Sequence, residues 1–428
     1  LSHARDGCYR RAMPAPAPLS RNRDFILLQA GQLLSATGTQ ASALAYPLLV
    51  LALTHSPAKA GIVGAVRIIP FAGFALLAGV AADRWNRKRM MLTADAIQFL
   101  AIGTLASWVA LGTIPFAVIA IIAFVEGGAS VFFSTASTGA LRSVVPKQQL
   151  PAAAGVQQAR LSVVRLVGPS VGGVLFGIGR AVPFVVDAVS YLFSFASVSL
   201  MRTPFQEERE VDTTPLRSQV AEGFRFLWQH PFLRTVALIF TPGNFIVTAV
   251  MFSIILIAKR QGMSSGGVGA LVAAFGAFQV AGALMSGVAR RRLTMRSILV
   301  AELWGAVAIA GFVVWPNIYV LLAGVLPQAF VMPISDTVLS AYRFAVTPDR
   351  LIGRVSSATT TIAIVVMPLG PLAAGFLLDA YSPRATIALF AAGALVLALW
   401  ATLSPSMRHA PRLDEVTAAP AAEPLPLV

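Results

Sequence analysis

The sequence has 428 residues, of which 57% are hydrophobic and 12% charged, with a formal net charge of +15. A soluble chain of this length carries about a quarter of its residues as charges. Here the apolar residues gather in runs of about 20, the helix length that crosses a hydrocarbon core about 30 Å thick, so a soluble enzyme is excluded and an all-α polytopic membrane protein expected. One cysteine (Cys8) and four scattered histidines exclude a disulfide framework and a metal cluster. The basic residues sit in short loops between apolar runs, not in a stripe with aromatic residues, which excludes a nucleic-acid-binding face.

In chain order, residues 1–24 read as a polar leader rich in Arg and Pro, with Met13 a candidate start and no apolar core of a signal peptide. Six spans follow at about 25–53, 61–82, 91–111, 116–137, 152–178 and 183–201. Residues 202–234 form the longest polar stretch, including EEREVDTTP, and read as a linker. Within it Leu216, Val220, Phe224 and Leu227 recur at helical spacing with Arg217, Glu222 and Arg225 between them. That pattern fits either an amphipathic helix on the membrane surface or a lead-in to the next span. Six more spans read at about 235–258, 267–289, 297–315, 318–341, 355–379 and 383–403, with a tail over 404–428. With the N-terminus inside, Lys and Arg are about fivefold more abundant in inside than in outside segments, which places both termini in the cytoplasm.

The two sets of spans repeat each other. Pro146, Gly168-Pro169 and Gly173 align without a gap to Pro348, Gly370-Pro371 and Gly375. GVA at Gly79–Ala81 is echoed by GVA at Gly287–Ala289, with a basic cluster after each. Repeated six-span halves are an architecture of secondary transporters, with the binding site near the midplane between halves that rock against each other.

One loop carries a specific pattern. GVAADRWNRKRM packs five formal charges into the seven residues Asp83 to Arg89. Gly79, Asp83, Arg84, Arg87 and Lys88 match the Gly-x-x-x-Asp-Arg-x-Gly-Arg-Lys motif of the major facilitator superfamily, which the chain resembles over about 25–403. Asn86 stands where that motif has its second glycine, a change the turn tolerates because Asn accepts positive φ. Asp95 sits where the family often has a further acid. In span five Gly155, Gly168, Pro169, Gly172 and Gly173 resemble the family's antiporter motif, with Val164 replacing one glycine. In detail the chain is similar to the enterobactin-exporter and macrolide-efflux branch. The resemblance implies two pseudo-symmetric six-helix bundles and export by proton exchange. It also implies a cavity lined by spans one, four, seven and ten, a monomer in the lipid bilayer, and a proton gradient in place of a cofactor. The acid in the loop is expected to form one half of an ion-pair latch that closes in one arrangement of the halves and opens in the other.

Charges inside spans are candidates for function because burying them unpaired is costly. They are Arg67, Asp95, Glu126, Arg160, Arg165, Asp187, Glu302, Asp336 and Asp379. Glu126 lies about ten residues into span four, near mid-bilayer, where loss of water disfavours a charged carboxylate and makes proton exchange feasible. Arg160 and Arg165 are its expected partners, switching with conformation or pairing permanently, and Asp187 is a second coupling candidate. Arg67 and Glu302 are expected to brace neighbouring helices, and Asp95, Asp336 and Asp379 to lie near span ends, either solvated or structural. For the substrate, Gln32, Ser35, Thr39, Ser42 and Tyr46 share one face of span one, joined by Phe132 or Phe133, Asn244, Thr248, Gln328 and Met332. Such a cavity suits amphipathic organic solutes, whereas helix packing alone also accounts for the span-one stripe. The expected function is therefore proton-driven export of drug-like or siderophore-like compounds; the alternatives are an importer or uniporter of a metabolite, and a membrane sensor. No ATP-binding loop or nucleophile elbow is present in the sequence, so an enzyme is the least favoured reading.

Overall fold

The computed structural model describes residues 18–112, 114–203, 205 and 216–408, without the side chains of Leu76, Asp83, residues 216–220 and Asp349. The leader with Cys8 and Met13, the acidic part of the linker and the tail after Arg408 lie outside the described residues.

Apolar runs become helices because each backbone group finds its partner within the helix. The first half holds α1 (Arg23–Thr54), α2 (Pro57–Arg84), α3 (Arg87–Ala110), α4 (Phe116–Val144), α5 (Leu150–Ile178) and α6 (Val182–Leu200). After the linker helix α7 (Leu216–Gln229) come α8 (Pro231–Arg260), α9 (Ser265–Arg292) and α10 (Met295–Val307). A 3-10 turn and the short α11 (Gly311–Val314) complete the ninth span. Next are α12 (Ile318–Val346), α13 (Ile352–Val366), α14 (Leu369–Ala380), α15 (Pro383–Leu403) and the single turn α16 (Pro405–Arg408). Twelve spans are long and apolar enough to cross a membrane, and the described residues contain no strand.

Polar residues at the loops start these helices by accepting a backbone N–H, as Ser56, Asn86, Ser264, Thr294 and Ser382 do. Asn86 has φ −64° and serves as the cap of α3, so the residue standing in for the motif glycine needs no left-handed backbone. Span eleven is one run in the sequence but two helices in the structure. Pro368 lacks the N–H that would continue the ladder, and α13 ends at Val366. The matched position in the first half is Leu166, and α5 runs through unbroken.

Helix α7 forms at the expected place and packs on α13, with Arg225 and Trp228 exposed. Glu222 pairs with Arg354, Gly223 lies against the Arg354 carbonyl, and Leu227 is buried.

Twelve crossings return the chain to the face where it began, so both described ends lie on one face, the terminal face. The halves meet through α2 with α14 and α5 with α9. Near the opposite face these crossings are glycine to glycine. A Cβ on Gly61 would stand 3.0 Å from the Gly375 Cα, and one on Gly173 3.0 Å from the Gly269 Cα. Gly79, Gly155, Gly287 and Gly353, at the terminal-face ends of the corresponding spans, would meet nothing within 4 Å. These helices are therefore packed at the opposite face and diverge towards the terminal face.

Candidate functional site

A buried polar cluster in the first half is built by α1, α2, α4 and α6. It forms because α2 and α4 cross closely at Gly127, where an added Cβ would collide with the Arg67 carbonyl. Arg67 and Glu126 are thereby set face to face. Arg67 Nε donates to one Glu126 oxygen at 2.9 Å and Nη2 to the other at 2.8 Å. This is the bidentate geometry in which a guanidinium and a carboxylate bind best. Arg67 Nη2 also reaches the Thr39 carbonyl of α1 at 3.3 Å.

Asp187 of α6 completes the cluster. It is fully buried, accepts from Ser42 Oγ at 2.5 Å and lies 3.4 Å from Ser190 Oγ. Helix α6 comes this close because α1 has Gly38 there, where a Cβ would stand 2.7 Å from Asp187 Oδ1. Thr39 and Tyr191 share a hydroxyl hydrogen bond of 2.9 Å. The Tyr46 ring packs edge-on against Phe184 with Arg67 5.7 Å from its centre. Its hydroxyl has no hydrogen-bond partner among the described residues and is in electrostatic reach of Glu126, Arg67 and Asp187.

The expected partners of Glu126 are therefore corrected. Consecutive spans four and five are not neighbours here: α5 packs on α1 and α9, while α4 packs on α2 and α3. Arg160 donates to Gln32 of α1, and Arg165 faces Asp336 of α12 in the other half. Arg67, expected only to brace a neighbouring helix, is the cation of the cluster. Arg67 and Glu126 lie equally far into their helices, from Pro57 and from Phe116, and both helices start at the opposite face. That equal depth was the available signal.

The span-one stripe turns mainly inward. Ser42 and Tyr46 are buried in the ion cluster, Thr39 is bonded to Tyr191, Gln32 to Arg160, and Ser35 is 6% exposed. Of the remaining cavity candidates, Phe133 packs against the small core near Phe25 and Val131. Thr248 bonds its own helix at the Asn244 carbonyl and lies against Gly370. Gln328 borders a small apolar cavity with Ile246, Val250, Met251 and Phe275. Gln279 Nε2 is 3.7 Å from the Met332 sulfur.

In span five, Gly168 lies against Gln40, Gly172 would place a Cβ 2.5 Å from the Ala41 carbonyl, and Gly173 meets α9. Gly168, Pro169, Gly172 and Gly173 are all buried at the crossing of α5 with α1 and α9. In the loop after α2, Arg87 lies over Gly139 of α4 and donates to the Ala82 carbonyl at 3.2 Å. Lys88 holds the end of α6 through the Ser199 and Met201 carbonyls at 3.0 and 2.7 Å. Arg84 is exposed, Gly79 is in open space, and the Asp83 side chain lies outside the described residues. Asp95, expected near a span end as either a solvated or a structural acid, is 1% exposed beside Ser194 and so is not solvated, and neither of its oxygens has a hydrogen-bond partner among the described residues. Glu302 is likewise buried, near Ser335, whereas Asp336 and Asp379 are exposed. The described residues contain no group of three His, Cys, Asp or Glu side chains able to hold a metal ion.

Comparison with known proteins agrees with this architecture. The transmembrane secretion effector family matches residues 14–427. The chain is 28% identical over 414 residues to the multidrug efflux pump Tap of Mycobacterium tuberculosis, covering 92% of this chain and 97% of that one. It is 24% identical over 379 residues to macrolide efflux protein A of Streptococcus pyogenes, covering 83% and 89%. Among solved structures, a bacterial homologue of the human lysosomal transporter Spinster, inward-facing and unoccupied, superposes with a TM-score of 0.69 at 16% identity, covering 91% of this chain and 97% of that one. The chain thus belongs to the transmembrane secretion effector family and is a membrane transporter of the major facilitator superfamily.

Proposed function

We propose that this transporter exports small amphipathic organic compounds of the drug or siderophore kind across the cytoplasmic membrane in exchange for protons, by alternating access. The observation that carries the proton step is the charge count of the buried cluster, in which two carboxylates, Glu126 and Asp187, share the single guanidinium of Arg67. A surplus buried carboxylate is costly as an anion and inexpensive as an acid, so the cluster is built to take up one proton. Export is supported by relatives that are efflux pumps over nearly their whole length. Both termini are cytoplasmic in this reading, because the bases crowd the terminal face. The present arrangement, packed at the opposite face, is then the state open to the cytoplasm.

The loop after α2 acts as the latch of the other state, with Asp83 pairing across to its basic neighbours when the terminal-face ends close. Asp83→Asn is expected to insert and fold normally and to transport several-fold more slowly; an unchanged rate would reduce the loop to a topology signal. Energy comes from the ion gradient, with no bound cofactor.

The proton claim is tested in everted membrane vesicles from a strain without its own efflux pumps. Uptake of a fluorescent amphipathic drug is expected to depend on an acid interior and to dissipate the pH gradient when the drug is added. Uptake that continues at full rate after a protonophore collapses the gradient would contradict it.

A further inference from the structure

The hydrogen count around Asp187 contains a second level of detail. Ser42 Oγ has one hydrogen and two acceptors within reach, Asp187 Oδ2 at 2.5 Å and the Thr39 carbonyl at 3.1 Å. The Thr39 carbonyl in turn is approached by Arg67 Nη2 at 3.3 Å. Ser190 Oγ stands 2.7 Å from the Asp187 carbonyl and 3.4 Å from Oδ1. A hydroxyl donates one hydrogen and accepts on its lone pairs, so two complete arrangements exist without movement of the heavy atoms.

With Asp187 ionised, Ser42 donates to Oδ2 and Arg67 holds the Thr39 carbonyl. With Asp187 protonated, its Oδ2–H donates to Ser42, whose own hydrogen turns to the Thr39 carbonyl. Ser42 then shares that oxygen with Arg67, which weakens the Arg67 contact to Thr39 and leaves Glu126 as its main partner. The other charged or titratable groups facing Asp187 are Glu126, Arg67, Tyr46 and Tyr191, from α4, α2, α1 and α6. Only Arg67 among them is a cation, and it is already engaged by both Glu126 oxygens.

We infer that Asp187 is the proton-carrying residue of the cluster, that Glu126 is a standing partner of Arg67, and that Ser42 is a hydroxyl switch reporting the protonation of Asp187 to Arg67. This deepens the proton-exchange reading and rests on it for its use in transport. The switch lies close to the contact between the halves. Arg67 lies one helical turn from Gly64, and a Cβ on Gly64 would stand 2.9 Å from Phe252 of α8 and 3.1 Å from Pro371 of α14. Loosening the tie of α2 to α1 at Thr39 therefore acts one turn away from the seam that closes the opposite face. Deprotonation returns the proton to water, the Ser42 hydrogen turns back to Oδ2, and Arg67 no longer shares the Thr39 carbonyl.

The test is infrared difference spectroscopy of the full-length protein in lipid nanodiscs, titrated with acid alone and read at the C=O stretch of protonated carboxyl groups. Wild type is expected to show a titrating band that Asp187→Asn deletes. Ser42→Ala is expected to keep the band and shift its frequency, since the acid loses its hydroxyl partner, and Ser42→Thr to restore the wild-type position. Asp95 and Glu302 are also buried, so the band is read as the wild-type minus Asp187→Asn difference; a spectrum unchanged by Asp187→Asn, or a difference band that ignores Ser42→Ala, would overturn the assignment. Should Asp187→Asn fail to fold, the Ser42 pair decides alone. The readout needs neither substrate nor gradient. Correct spectra with gradient-independent drug uptake would thus sink the exchange reading and leave the proton site standing.

Discussion

The two halves share one backbone plan and differ in what they bury. The spacing that relates Gly168 to Gly370 also relates Glu126 to Gln328, and the spacing that relates Gly79 to Gly287 relates Arg67 to Phe275. Where the first half holds a bidentate ion pair, the second holds an amide and a ring beside a small apolar cavity. Where the first half has Leu166 in a continuous α5, the second has Pro368 and a broken span. A repeat thus supplies two similar frames, and the bidentate ion pair lies in the first. Because the halves match so closely, residues exchanged between matched positions show what each difference does.

The largest effect is expected from Arg67→Phe, which puts the second half's residue into the first. It leaves two buried carboxylates without a cation and is expected to destabilise the protein by about 3–5 kcal/mol, read as loss of monodisperse protein on heating in detergent. Adding Glu126→Gln should recover most of that stability, since removing both members of a buried pair is close to neutral, and transport should stay lost. A double variant as unstable as the single would mean that the pair is needed by the fold itself.

Next comes Gly172, matched in the second half by the buried Ala374. The Cβ of Gly172→Ala would press on the Ala41 backbone at 2.5 to 3.0 Å, which cannot yield as a flexible side chain can. The expected cost is about 1–3 kcal/mol in thermal unfolding, even though alanine is native at the matched site.

Pro368→Leu is milder. It gives span eleven the residue of span five and is expected to raise stability by about 1 kcal/mol or less, while slowing transport by stiffening the helix that packs on α2. Faster transport would show that the break is not a working part.

Gly79→Ala is the smallest. With open space around it, the change is expected to leave stability within about 0.5 kcal/mol or to raise it slightly. If transport falls while stability holds, Gly79 is required in the arrangement with the terminal-face ends closed.

Much of this was legible in the sequence for physical reasons. Spans follow from hydropathy and length, and the packed glycines of span five follow from the absence of a Cβ where backbones touch. The repeat pointed to two bundles because matched Gly-Pro positions carry over directly. Helix adjacency was not legible. Arg160 and Arg165 are closer to Glu126 along the chain than Arg67 is, yet α4 turns to α2 and leaves α5 to α1 and α9. The span-one stripe showed a polar face without showing what it faces, and α6 fills that place with Asp187, Ser190 and Tyr191. Asn86 was legible as a loop residue, but its work as a helix cap depends on a φ that the pattern alone does not reveal.

The central claim is that the first half carries one exchangeable proton, on Asp187. The most direct measurement compares substrate-driven proton movement with proton-independent substrate exchange in proteoliposomes, for wild type and Asp187→Asn. Substrate exchange is expected to survive in Asp187→Asn while proton movement disappears. Proton movement persisting at the wild-type ratio to substrate would contradict the claim.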